Sequence, residues 1–169
     1  TRKESSAASD VYKRQEYARS PLNSRDDDNH LFKGGPAHGA PPQNVCLAPD
    51  DYLLDHLGGG FDLLYFTDGS AVPPALSEVA RVVRGRGVGL RIVAISSQAQ
   101  PQPVQGADLT LSDSQGRCRE RHGVPADPPS GAAYLLRPDQ HVCARWLALD
   151  ARRLQSALDN ATCTQGAQA

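Results

Sequence analysis

The stretch Tyr134-Leu135-Leu136-Arg137-Pro138-Asp139-Gln140-His141-Val142-Cys143-Ala144-Arg145-Trp146 decides the fold. Two apolar, β-favouring runs flank Pro138-Asp139. Proline presets the φ of a turn's second residue, and aspartate hydrogen-bonds its own backbone just beyond. The stretch therefore predicts a β-hairpin. Alternation along the second arm puts Val142, Ala144 and Trp146 on one face and His141, Cys143 and Arg145 on the other. One side packs on a core and the other is more polar. Gln140 stands where such a turn often takes glycine, and a positive φ there costs up to about 1 kcal/mol.

Upstream of the hairpin, Phe61-Asp62-Leu63-Leu64-Tyr65-Phe66 is a nearly continuous apolar run of strand length, the pattern of a strand buried on both faces. Thr67-Asp68-Gly69-Ser70 reads as a turn. Pro73 or Pro74 opens a helix, where a missing N–H is harmless. Leu76, Val79, Ala80 and Val83 mark its apolar face. Arg81, Arg84 and Arg86 crowd its C-terminal end, a solvated face rather than an anion site. Gly85, Gly87 and Gly89 follow a helix and precede a strand, so they form a connection and not a dinucleotide fingerprint. Leu90-Arg91-Ile92-Val93-Ala94-Ile95 is the second buried strand and should run parallel to the first.

Further along, Leu109-Thr110-Leu111 predicts a short strand. Asp113 caps a helix through Arg117, Cys118 and Arg121, with Gly123 as its left-handed stop. Pro125, Pro128 and Pro129 make the next loop. Asp150 caps the last helix, whose face is Leu154, Ala157, Leu158 and Ala161. Before the first strand, Asp50 caps a short helix carrying Leu53, Leu54 and Leu57, and Gly58-Gly59-Gly60 ends it. A glycine run that cradles phosphate needs a strand before it and a helix after it, the reverse of the order here.

The totals narrow the function. Among 169 residues, 18 are Lys or Arg and 19 are Asp or Glu, for a net charge of -1. That balance argues against a nucleic-acid binder, which carries a basic excess. No apolar run approaches the roughly 20 residues of a membrane span. The polar N-terminus lacks the apolar segment of a signal peptide. Cys46, Cys118, Cys143 and Cys163 are widely spaced with no Cys-x-x-Cys, which predicts free thiols and a cytoplasmic setting. His30 and His38 have no ligand set around them, so no metal site is expected.

Residues 1–15 carry Ala8-Ser9-Asp10-Val11-Tyr12-Lys13-Arg14-Gln15, which resembles a translated sequencing-library adapter. With no methionine anywhere, the chain reads as a fragment that does not begin at its own initiation codon. Residues 16–49 are rich in Pro, Gly, Asn and Asp, predicting an extended linker unable to bury a core. Residues 50–161 form the folded domain and 162–169 a polar tail.

The order β-α-β, short strand and helix, β-hairpin, C-terminal helix is an α/β, thioredoxin-like layout. In redox members of that layout the reactive thiol follows the first central strand, at the start of its helix. The matching stretch, Thr67 to Pro74, has no cysteine. Thiol chemistry is therefore not expected of Cys118 or Cys143.

The hairpin Tyr134 to Trp146 is similar to the C-terminal hairpin of FAD-dependent aromatic-ring hydroxylases of the phenol hydroxylase and 3-(3-hydroxyphenyl)propionate hydroxylase type. Ser20-Pro21-Leu22-Asn23 and Gly35-Pro36-Ala37-His38-Gly39-Ala40-Pro41 resemble the segment that joins their flavin and substrate modules to this end domain. Leu54-Asp55-His56-Leu57-Gly58-Gly59-Gly60-Phe61-Asp62-Leu63-Leu64 resembles the lead into its first strand. The resemblance implies a full-length parent that uses NADH or NADPH to reduce FAD and hydroxylates phenolic rings through a flavin hydroperoxide. It implies that the end domain serves packing and subunit contacts in a possible homo-oligomer, with the upstream FAD and substrate domain as its partner. Neither the Gly-x-Gly-x-x-Gly unit for the ADP half of FAD nor the family's Gly-Asp segment occurs in this sequence. No residue here is therefore assigned to catalysis, cofactor or metal, and the fragment alone is expected to bind no flavin.

Two rivals stand beside this reading. One is an independent thiol oxidoreductase, since Leu111-Ser112-Asp113 to His122-Gly123-Val124 looks a little like peroxiredoxins. The other is a non-catalytic interaction module with an apolar docking patch.

Overall fold

The computed structural model describes residues 17–125 and 131–163. The adapter-like residues 1–15, Pro128, Pro129 and most of the tail lie outside them. Seven strands and three α-helices follow in order: β1 (Cys46–Ala48), β2 (Asp51–Tyr52), β3 (Phe61–Thr67), α1 (Pro74–Gly85), β4 (Leu90–Ser96), β5 (Leu109–Ser112), α2 (Arg117–Arg121), β6 (Ala133–Leu136), β7 (Val142–Trp146) and α3 (Ala151–Ala161). The main sheet has the order β5-β4-β3-β6-β7. β3, β4 and β5 are parallel, with Leu63 opposite Ile92 and Ile95 opposite Leu111. β6 runs antiparallel to β3, and β7 antiparallel to β6. A parallel unit joined to an antiparallel hairpin is the mixed α/β layout predicted.

Helices α1 and α3 cover one face. Leu76, Ala80 and Val83 of α1 and Leu154, Ala157 and Leu158 of α3 bury against Leu63, Ile92, Ala94, Leu135 and Ala144. The apolar stripes at i, i+3, i+4 and i+7 are what aim those residues inward. On the other face, Leu64, Phe66, Val93, Ile95 and Tyr134 lie beneath Phe32, Val45, Leu53, Cys118 and Val124. β3 is buried at every position, as a central strand with a layer on each side must be. Its one charged residue, Asp62, is 2% exposed. Its carboxylate accepts hydrogen bonds from the Gly58 N–H (2.7 Å) and from Arg91 Nε (2.9 Å). The glycine run thus serves Asp62.

Three expectations need correction. Asp50 does not cap an α-helix: its φ is 59°, the left-handed turn conformation that Asp tolerates. The β1–β2 ribbon turns there, and Leu53–His56 forms only a 3₁₀ turn. The face assignment of β7 also changes. The register shifts between Leu135 and Leu136, where Leu136 pairs with Val142 and Leu135 with Ala144. Cys143 is the extra residue of a β-bulge, which sends Val142 to the face opposite Ala144 and Trp146. The whole strand is buried, so neither face is a solvated one. Gln140 does take a positive φ, 58°.

The third correction concerns residues 17–49. They form little regular structure but are not a detached linker. Phe32, His38, Ala40 and Val45 are buried. The segment works as a strap along the outer edge of β7. The Gly39 N–H donates to Val142 O (2.7 Å), the Val142 N–H to Ala40 O (2.9 Å) and the Ser24 N–H to Cys143 O (2.9 Å). The Leu147 N–H donates to the Asp28 carboxylate (3.1 Å). An edge strand left open is a template for unwanted pairing, and the strap closes it.

Arg145 holds the strap down. Its side chain is 3% exposed. Nε donates to Asp26 (2.9 Å), Nη1 to Pro36 O (3.0 Å) and Nη2 to Asn29 Oδ1. The guanidinium lies 4.6 Å from the centre of the Phe32 ring. A planar fork with five donors suits this clustering of a carboxylate, two carbonyls and a ring face.

Candidate functional site

The corner after β3 is where redox chemistry would sit in this layout. Its side chains are committed to the turn itself. Thr67 Oγ1 donates to Ser70 O (2.9 Å), and the Asp68 carboxylate accepts from the Ser70 N–H (2.9 Å) and from Ser70 Oγ. Those bonds hold the Asp68 carboxyl below the usual range.

The thiols do not converge. Cys118 packs in the layer beneath Phe32, Cys143 in the opposite layer against the helices. Burial pushes the Cys143 thiol up to about 12 and the Cys118 thiol higher still, Asp113 adding to the latter. His122 Nδ1 lies 3.7 Å from Cys118 Sγ, but the imidazole donates to Cys118 O (2.8 Å). Burial lowers its pKa to about 4. A neutral thiol beside a neutral imidazole is no nucleophile at pH 7. Cys163 is exposed and Cys46 half-buried. Asp113 does cap α2, its two carboxylate oxygens accepting from the Cys118 and Arg119 N–H groups (both 2.9 Å).

The arginines of α1 and of its C-cap are paired. Arg81 grips Glu78, Arg84 pairs with Asp108, and Arg86 lies 3.7 Å from Asp159. His38 is buried, with Nδ1 against Ser24 O (2.7 Å). Among the described residues no group of three His, Cys, Asp or Glu is placed to hold a metal ion, and no helix is long and apolar enough to cross a membrane.

What sequence reasoning missed is a cleft of about 920 Å³ at the carboxyl ends of β3, β4 and β5. Phe66 and Val124 floor it, Ser97 and Asp113 come from the strand ends, and Arg119 and Glu120 from α2. Lys33 of the strap forms the far wall. The Lys33 N–H donates to Gly123 O (3.0 Å). Gly123 has φ +66°, and a Cβ there would sit 2.4 Å from Gly34 O. Strap and α2 therefore meet backbone to backbone. The carboxyl ends of parallel strands are where open α/β sheets bind ligands. Nothing in the local sequence announces Lys33, a single lysine between Leu31-Phe32 and Gly34-Gly35.

No family model and no curated protein matches the chain. Solved structures do. Aklavinone-11 hydroxylase, crystallised with FAD and aklavinone, matches with a TM-score of 0.56 and 20% identity over 85% of this chain. The flavin-dependent monooxygenase PieE, with FAD and substrate, matches with a TM-score of 0.54 and 22% identity over 84%. RebC-10x, native and K252c-bound, gives 0.52 and 22% over 85%. The chain spans only 25%, 23% and 22% of those three proteins, respectively. At this identity the likeness establishes the fold: a small mixed α/β domain of the kind carried by FAD-dependent hydroxylases and monooxygenases.

Proposed function

We propose that this chain is the C-terminal accessory domain of a larger FAD-dependent, NAD(P)H-using monooxygenase that hydroxylates phenolic compounds in the cytoplasm. In this reading it packs on the upstream flavin and substrate module, supports subunit contacts in a homo-oligomer, and is catalytically silent alone. The observation that carries the reading is the pattern of coverage: 85% of this chain matches about a quarter of aklavinone-11 hydroxylase, which was crystallised with FAD. The local chemistry agrees, since the corner after β3 has no sulfur and the two buried thiols lie on opposite faces of the sheet.

The reading is tested by the genomic DNA immediately before the codon for Glu16. A continuous reading frame encoding a Gly-x-Gly-x-x-Gly βαβ unit is the expected result. An upstream stop codon, or an unrelated frame, overturns it. The purified chain should show no flavin absorbance; stoichiometric bound FAD would contradict its silence.

A further inference from the structure

We propose that the open edge of β5 pairs with β5 of a second copy of this chain, antiparallel across a two-fold axis at Thr110, joining the two sheets into one. The proposal gives a surface to the homo-oligomer contacts proposed above and rests on that reading for its second copy. The two edges of the sheet differ. The outer edge of β7 is closed by the strap, whereas β5 is the terminal strand and bonds to β4 alone. The Asp113 N–H donates to Ser96 O (2.7 Å), and in a parallel ladder alternate residues turn to the same neighbour. Leu109 and Leu111 therefore bond to β4, and the backbone groups of Thr110 and Ser112 point outward. Among the described residues no hydrogen bond takes up those outward groups. The devices that blunt an edge are missing from it: Leu109-Thr110-Leu111-Ser112 holds no charge and no proline, and its register with β4 has no shift.

The edge is complementary to itself in one register. With Thr110 on the axis, Leu109 lies opposite Leu111 of the second copy, and Leu111 opposite its Leu109. Leu109 is half-buried at the rim of the layer that also holds Leu47 and Leu57, so pairing covers it. Thr110 faces its own counterpart, two hydrogen bonds forming between their backbones, and Asp108 faces Ser112, so no like charges stand opposite each other. Moving the axis to Leu111 sets Asp113 opposite Leu109, and moving it to Ser112 sets Asp113 opposite Leu111. An edge of four residues buries less than the roughly 1,200 Å² of a stable complex. The dimer is therefore weak and grows with concentration.

Sedimentation equilibrium of the full chain, at concentrations up to about 1 mM, should show a reversible monomer–dimer equilibrium. Thr110→Lys sets two ammonium groups opposite each other and should weaken it roughly tenfold or more. Thr110→Val loses the same hydroxyl without adding charge and should keep the dimer, which separates the edge from any loss of folding. In a Cys46→Ser/Cys163→Ser background, Thr110→Cys should oxidise to a disulfide-linked dimer, because the facing Cα atoms of a hydrogen-bonded pair are about 5.5 Å apart. Ser112→Cys should not, its two copies standing about 14 Å apart along the strands. A dimer that Thr110→Lys leaves intact, or a Ser112→Cys cross-link as ready as that of Thr110→Cys, overturns the edge and leaves the homo-oligomer standing. A monomer at every concentration overturns both, while the flavin parent keeps its own test in the upstream reading frame.

Discussion

Replacing Arg145 with methionine should release the strap. Methionine keeps an unbranched apolar stem but removes every donor. Asp26 loses its partner at 2.8–2.9 Å, Pro36 O loses a bond of 3.0 Å, and Asn29 and the Phe32 ring lose theirs. Removing one partner of a buried pair costs about 3–5 kcal/mol. The Asp26 side chain is 20% exposed and regains some water, so the lower end applies, about 3 kcal/mol. For a domain of this size that corresponds to a fall in Tm of roughly 6–12 °C. Urea and thermal unfolding followed by circular dichroism give the stability. Limited trypsin digestion gives the mechanism, since Arg25 and Lys33 should become early cleavage sites. A double-mutant cycle with Asp26→Asn should show a coupling of about 1–3 kcal/mol. A loss below about 1 kcal/mol, or an unchanged digestion pattern, would refute the role given to Arg145.

Other outcomes follow from the same geometry. Gly123→Ala should destabilise by about 2 kcal/mol or more, because a Cβ there combines positive φ with a clash against Gly34 O; urea midpoints measure it. Stability should fall as pH drops from about 6.5 towards 4. His122 is held neutral in the fold with a pKa of about 4, so the unfolded chain binds the extra proton in that window. This contribution to stability, at most about 3 kcal/mol, is full above the unfolded value and is lost as pH falls through the folded one. His38 is lowered in the same direction by burial. His122→Leu should flatten the slope between pH 7 and 4.5. In thiol titration with a chromogenic disulfide at pH 8, Cys163 and Cys46 should react in the native state, and Cys118 and Cys143 only after denaturation; a thiolate at Cys118 or Cys143 near neutrality would revive the oxidoreductase reading.

The parts of the fold that could be read from sequence are those where periodicity carries the information. β3 and β4 are long unbroken apolar runs, α1 and α3 have clean stripes, and the hairpin has its Pro-Asp turn. The strap has none of these signals. Leu31-Phe32 and Val45-Cys46-Leu47-Ala48 are short apolar patches in a polar, Pro/Gly-rich run, too short to show a period, and their anchors are long-range: Arg145 over the Phe32 ring and the Leu53 N–H on Val45 O. The bulge at Cys143 was equally invisible, because a single inserted residue inverts faces without changing composition. The spacing of Leu53, Leu54 and Leu57 imitates a helix, but Asp50 turns into the left-handed region and the segment stops after a 3₁₀ turn. The cleft escaped notice because its walls come from segments far apart in the sequence, Lys33 and Arg119 lying 86 positions apart among 169 residues, and those segments pack together where Gly34 approaches Gly123.

The clasp between Tyr17 and Gly39, a 2.9 Å hydrogen bond from the Tyr17 N–H to Gly39 O, bears on how force enters the domain. Tension arriving along the preceding polypeptide reaches this clasp and the Arg137–Ser20 contact (3.3 Å) before it reaches any sheet hydrogen bond. The Arg145 anchor lies next along the load path, and β3 stands behind both. Pulling on the chain at Tyr17 would therefore load the strap first and the central strands last.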